Sequence, residues 1–149
     1  MTAPPEGLER LLALEDIRLQ RAKYCRYIDT HQFDRLAEVL SQDFVLDMSP
    51  VDKVLGGKND PIAGRDAVIG HMNAHFVTLK KLIHITTIPI IEFQDAENAT
   101  GIWRQETFVK EVRDFAGAGI AYATASDTYR KDEGEWRITS VTIEIDIVI

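Results

Sequence analysis

The hydrophobic period of this chain changes once, near residue 80, and that change limits what it can fold into. Before it, apolar residues recur every three or four positions; after it, they alternate. Leu8, Leu11, Leu12, Ile17, Leu19, Tyr24 and Ile28 predict a helix over roughly residues 8 to 29. "THQFDRLAEVLSQDF" predicts a second, short helix with Phe33, Leu36, Ala37 and Leu40 on its apolar face and Thr30 near enough to cap its start. "FVLDMSP" reads as a strand stopped by Pro50, "VDKVLGGKNDPIAG" as a loop, and "RDAVIGHMNAHFVTL" as a third helix with Ala67, Val68, Met72 and Phe76 to one side. Four long strands follow: "LIHITTIPIIEF", "NATGIWRQETFVKEV", "GIAYATASDTYRK" and "EWRITSVTIEIDIVI". The turns between them, "QDAE", "RDFAGA" and "DEGE", are polar or carry glycine. Helices first and an antiparallel meander afterwards is an α+β layout. The predicted architecture is a strongly curved, mostly antiparallel sheet with three N-terminal helices, forming a cone with an internal pocket. It is a single domain over residues 1–149.

Composition narrows the function classes. Apolar residues make up 45% and charged residues 28%, a globular balance. A net charge of −7 argues against nucleic acid, whose phosphates call for Lys and Arg. Cys25 is the only cysteine, so no intramolecular disulfide can form. "MTAPPEGLER" lacks a basic segment followed by an apolar one, and no apolar run approaches the ~20 residues of a membrane span. These features predict a soluble cytoplasmic protein with no membrane partner. There is no Walker loop, no G-x-G-x-x-G and no serine nucleophile elbow, which argues against nucleotide and α/β-hydrolase chemistry.

A few residues stand out as chemistry-bearing. Asp29 ends the first helix, where the helix dipole disfavours a carboxylate. It either makes an Asx-type turn or caps the next helix in "DTHQ", or it has a task elsewhere. His84 is an imidazole in an otherwise β-rich apolar run, "KLIHITTIP", as a satisfied core histidine or as a base in a pocket. Tyr24 is a core aromatic whose hydroxyl needs a partner. Asp47 ends a strand and reads as a turn former or a buried acid. Asp127 interrupts a strand, as a buried acid or as a partner for Arg104 or Arg130. His71 and His75 have an i, i+4 spacing that suits zinc, but no carboxylate or cysteine in the sequence completes a visible ligand set, so no metal site is predicted.

In order along the chain, "KYCRYIDTHQFDRLAEVLSQDFVLD", "GRDAVIGHM", "HITTIPIIEF", "ATGIWRQE" and "SDTYRKDEGEWRITS" resemble the SnoaL-like family, over nearly the whole length. The resemblance implies the cystatin-like fold shared with ketosteroid isomerase, nuclear transport factor 2 and scytalone dehydratase. Within the family the likeness leans to dehydratases and lyases, bile acid 7α-dehydratase and hexachlorocyclohexane dehydrochlorinase among them. On that likeness "YCRYID" supplies Tyr24 and Asp29, and "HITTIP" supplies His84. His84 is then the general base, Asp29 the acid that orients it and Tyr24 a hydrogen-bond donor. The substrate implied is small, cyclic and mostly apolar: a steroid, polyketide, terpenoid or aromatic intermediate. No cofactor is implied. The chain departs from those enzymes in carrying Ile145 and Lys131 near places where they have arginine. A ketosteroid-isomerase-like alternative uses Tyr24, Asp47 and Asp127. A third alternative is a non-catalytic ligand-binding or association module. A homo-oligomer, dimer or trimer, is expected, because the outer face of the sheet still carries apolar residues such as Trp103 and Ala121 to Ala125.

Overall fold

The computed structural model describes residues 2–78, 81–112 and 115–149. Residues 79, 113 and 114, which close the predicted third helix and open the predicted "RDFAGA" turn, lie outside the described residues. Helix α1 (Gly7–Asp29) is followed by a short 3-10 turn (Phe33–Glu38), strand β1 (Leu40–Asp47), the short α2 (Asp52–Leu55), β2 (Ile62–Ala63) and α3 (Arg65–His75). The rest is sheet: β3 (Lys81–Thr86), β4 (Ile90–Phe93), β5 (Asn98–Val112), β6 (Phe115–Asp132) and β7 (Glu135–Val148).

The helices lie on one face of the sheet, and the core forms between them. Ile17 of α1, Val68 and Met72 of α3, Phe33, Phe44 and the β7 residues Ile138 and Val141 are wholly or almost wholly buried there. The stripe that α1 buries is not its most apolar one. Ala13, Ile17, Arg21, Tyr24, Cys25 and Ile28 face inward, while Leu8, Leu11, Leu12 and Leu19 are exposed. The β6–β7 hairpin turns at Glu133 and Gly134, both at positive φ, the geometry that a two-residue hairpin needs to match strand twist.

The predicted cone is not what the chain builds. The sheet is an open path, β2-β1-β7-β6-β5-β3, whose ends do not pair with each other, and β4 shares the free edge of β5 with β3. It is also mixed, because β1 runs parallel to β7. The sheet is therefore neither closed nor strongly curved into a cone. The reason lies in connectivity. Alternation reports which face a strand buries, whereas a parallel junction between strands far apart in sequence has no hairpin turn to announce it. Two further readings shift. The second helix is a 3-10 turn, and Thr30 bonds back to the Arg26 carbonyl (2.7 Å) instead of capping it. The run "LIHITTIPIIEF" breaks into β3 and β4 around Pro89, which has no N–H to offer a ladder.

Candidate active site

The site begins where α1 stops. The N–H groups of Thr30, His31 and Gln32 satisfy the carbonyls of Arg26, Ile28 and Tyr27, with His31 at φ 55° turning the chain away. These backbone bonds leave the Asp29 side chain out of the capping. It reaches to β3 instead. β3 lies at the end of the sheet and pairs only with β5 along its length, so alternate N–H groups on its free side need an acceptor. Asp29 Oδ2 accepts the backbone N–H of His84 at 2.9 Å, and Oδ1 meets His84 Nδ1 at 2.5 Å. The two side chains are only 14% and 12% exposed. A carboxylate cannot donate, so Nδ1 carries the proton in this contact, and in the neutral form of the ring the lone pair is on Nε2. The bland alternatives for Asp29, a turn or a cap, are thus not what it does.

His84 lines a cavity of about 220 Å³ between the helices and the inner face of the sheet. Its walls are apolar, from Ile28 and Met72 on the helices to Val109 and Ile145 on the strands. Among the described residues, its polar side chains are Tyr24, His84, Gln105 and Thr107. Burial raises the pKa of the Tyr24 phenol, against the opposing charge of Arg21, whose guanidinium lies 5.0 Å from the ring centre. Tyr24 therefore stays protonated and keeps a hydroxyl to donate. Tyr24 and Asp29 are five positions apart, ~140° around an ideal helix, yet both connect to one cavity, Tyr24 as a lining residue and Asp29 through its bonds to His84.

Neither Asp47 nor Asp127 lines the cavity. Asp47 accepts the backbone N–H and the hydroxyl of Ser49 at 2.9 and 2.6 Å, which is turn chemistry. Asp127 is fully buried against neither Arg104 nor Arg130 but against Arg21, with Nη1 to Oδ2 at 3.3 Å, and it accepts the Tyr129 hydroxyl at 2.7 Å. Burial works against the charge on Arg21, but Asp127 and its other neighbours outweigh it, and the guanidinium's pKa is raised. Arg21 also donates to Gln105 Oε1 at 2.8 Å. The His71 and His75 rings lie 4.6 Å apart on α3, tilted by 46°, and no third ligating group joins them among the described residues. A larger depression near Ser41, Arg65 and Arg137 is open and polar, and Arg130 within it is committed to Asp43 and Asp132.

Sequence reasoning missed Arg21, Gln105 and Thr107. Each carried a signal. Arg21 stands in the buried i, i+4 series of Ala13, Ile17 and Cys25, and Gln105 and Thr107 share the inward parity of Trp103 on β5.

Residues 9–142 match the SnoaL-like domain, and the chain belongs to that family. Among solved structures it is similar to the hexachlorocyclohexane dehydrochlorinase LinA-type3 from Novosphingobium barchaimii, at 18% identity and a TM-score of 0.81, covering 97% of this chain and 93% of that one. It is also similar to a candidate scytalone dehydratase from Novosphingobium aromaticivorans, at 18% identity and a TM-score of 0.80, covering 95% and 89%. A protein of unknown function from Mycobacterium tuberculosis is 24% identical with a TM-score of 0.76, covering 93% and 74%. At these identities the likeness is one of fold. No curated protein matches the chain in sequence. No helix among the described residues is long and apolar enough to cross a membrane.

Proposed function

We propose that the protein is a cofactor-independent lyase that eliminates water from a small, cyclic, mostly apolar substrate, with His84 as general base. The observation that carries this reading is the double grip of Asp29 on His84, which engages Nδ1 and makes Nε2 the nitrogen of the neutral ring that is open to act as a base, on a residue that lines an apolar cavity. His84 Nε2 takes a proton from carbon. The electrons of that C–H bond form the double bond, and the hydroxyl on the neighbouring carbon leaves with its bonding pair. Tyr24 donates a hydrogen bond to the departing oxygen, and the imidazolium returns its proton to complete water. Asp29 stabilises the imidazolium while it lasts, the role an aspartate plays beside the histidine of a serine protease. A cavity of about 220 Å³ lies below the ~300–1,000 Å³ common for ligand sites, which favours one or two rings over a steroid nucleus.

The test is a screen of monocyclic and bicyclic β-hydroxyketones for the ultraviolet band of the conjugated enone. Turnover by the wild type that is lost in His84→Gln supports the reading. Turnover that survives His84→Gln removes it. Saturable binding of these compounds with no turnover assigns the chain to the binding-module alternative.

A further inference from the structure

The polar wall of the cavity has a direction, and a buried arginine sets it. Arginine has donors only, so the side-chain oxygen of Gln105 must be the atom that faces Arg21 Nη2, at 2.8 Å. That choice orients the other end of the amide: Gln105 Nε2 donates to Thr107 Oγ1 at 3.0 Å. Thr107 accepts through one lone pair, and its own proton has no acceptor among the described residues. Each link passes on a donor, and the last one lies on the cavity wall.

Arg21 is well fixed for this task. It is completely buried, its charge is balanced by Asp127, and Asp127 is held by Tyr129, whose oxygen accepts Trp103 Nε1 at 2.9 Å. The terminal donor sits beside the imidazole. His84 and Thr107 are directly opposed in the β3–β5 ladder, and the His84 N–H points away from β5 to Asp29. Theirs is therefore a non-hydrogen-bonded pair, the kind that brings opposed side chains closest, with Cα atoms ~4.5 Å apart.

We propose that Thr107 is the hydrogen-bond donor that holds the substrate's acceptor oxygen beside His84, with Gln105 and Arg21 as positioning residues that aim its proton. The assignment rests on the reading of the cavity as the reacting site, and it names the substrate feature that site requires: a neutral acceptor, such as a ring carbonyl, next to the carbon that loses its proton. A carbonyl held there acidifies that neighbouring C–H, because charge that develops on oxygen is met by a donor already in place.

The test uses acetophenone labelled with ¹³C at its carbonyl, a one-ring neutral acceptor, and follows its C=O band by infrared difference spectroscopy together with its Kd. In the wild type and in Thr107→Ser the band is expected at lower wavenumber than in hexane. In Thr107→Val the shift is expected to be lost and binding to weaken roughly 3- to 10-fold, the worth of one neutral hydrogen bond. Gln105→Glu is the decisive variant. It keeps the size and the contact with Arg21, but a carboxylate can only accept, so Thr107 turns its proton inward and the shift is lost as in Thr107→Val. An unshifted band in the wild type, a shift that survives Thr107→Val or Gln105→Glu, a shift lost in Tyr24→Phe, or no acetophenone binding at all overturns the proposal. Circular dichroism verifies that each variant is folded, and Thr107→Ser supplies a second folded comparison. The band does not depend on turnover, so activity that survives His84→Gln removes the catalytic reading and leaves the donor assignment standing.

Discussion

Asp29 holds His84 at two points, backbone N–H and ring Nδ1, across 55 positions of sequence. One carboxylate thereby satisfies an outward N–H of an edge strand and sets the proton on Nδ1 of the ring. The oddity at the end of α1 and the oddity in β3 are one feature.

Because the two residues act as a unit, their losses are expected not to add. Asp29→Asn and His84→Gln should each lower kcat by ~10²–10⁴-fold, and the double variant should lose little more. Tyr24→Phe should cost less, since it removes one hydrogen bond and leaves the base intact. Steady-state kinetics on a compound found in the dehydration screen measure all four. Additive losses would count against a dyad.

Removing one partner of the buried ion pair leaves the other charge stranded. Arg21→Met should destabilise the protein by ~3–5 kcal/mol, and adding Asp127→Leu should recover part of that loss. Urea unfolding of the single and double variants gives the comparison. Recovery will be incomplete, because Tyr129 then lacks its acceptor.

A Cβ added at Gly101 of β5 would press on its neighbours and require them to shift. A Cβ there would lie 2.8 Å from Ile91 Cδ1 and 3.0 Å from Tyr129 Cε2. Gly101→Ala should cost ~1–3 kcal/mol through overpacking, read as a lower urea midpoint at unchanged slope.

Burial pushes the Cys25 thiol from its ordinary 9.0 up to about 11, with Arg21 opposing the shift. The folded state keeps this proton where the unfolded state has released it. Stability from this group is thus present below about 9 and declines as pH rises toward 11, by on the order of 2 kcal/mol. Cys25→Ala should flatten that part of the alkaline profile, measured as urea midpoints from pH 8 to 11. An identical slope in both proteins would refute the assignment.

The outer face of the sheet is expected to pair with a second copy of the chain. Trp103, Ala123 and Ala125, which alternation alone assigned outward, are buried, so they do not form this surface. Ile83, Ile85, Ile102 and Ile147 do expose apolar area, and Arg104, Glu144 and Asp146 supply both signs of charge nearby, as a self-complementary face requires. Light scattering at micromolar concentration should give a multiple of 16.8 kDa. Ile85→Lys should shift it toward the monomer, and a monomer mass for the wild type would dispose of the idea.

What the sequence determined by itself is local in origin. The span of α1, the paired alternation of β5 to β7 and the hairpin at Glu133 and Gly134 follow from periodicity and turn chemistry, which act over a few residues. Likeness along the chain also brought Asp29, His84 and Tyr24 forward together. Tertiary structure decided the rest. The parallel β1–β7 junction and the open sheet come from which distant strands meet, and no residue announces that choice. The exposed leucines of α1 show the same limit, since a helix can bury only the stripe the sheet faces, here the one that carries Arg21. The relay from Arg21 through Gln105 to Thr107 was illegible for the same reason: a polar residue's meaning depends on its partner, and these partners lie 84 positions apart until the chain folds.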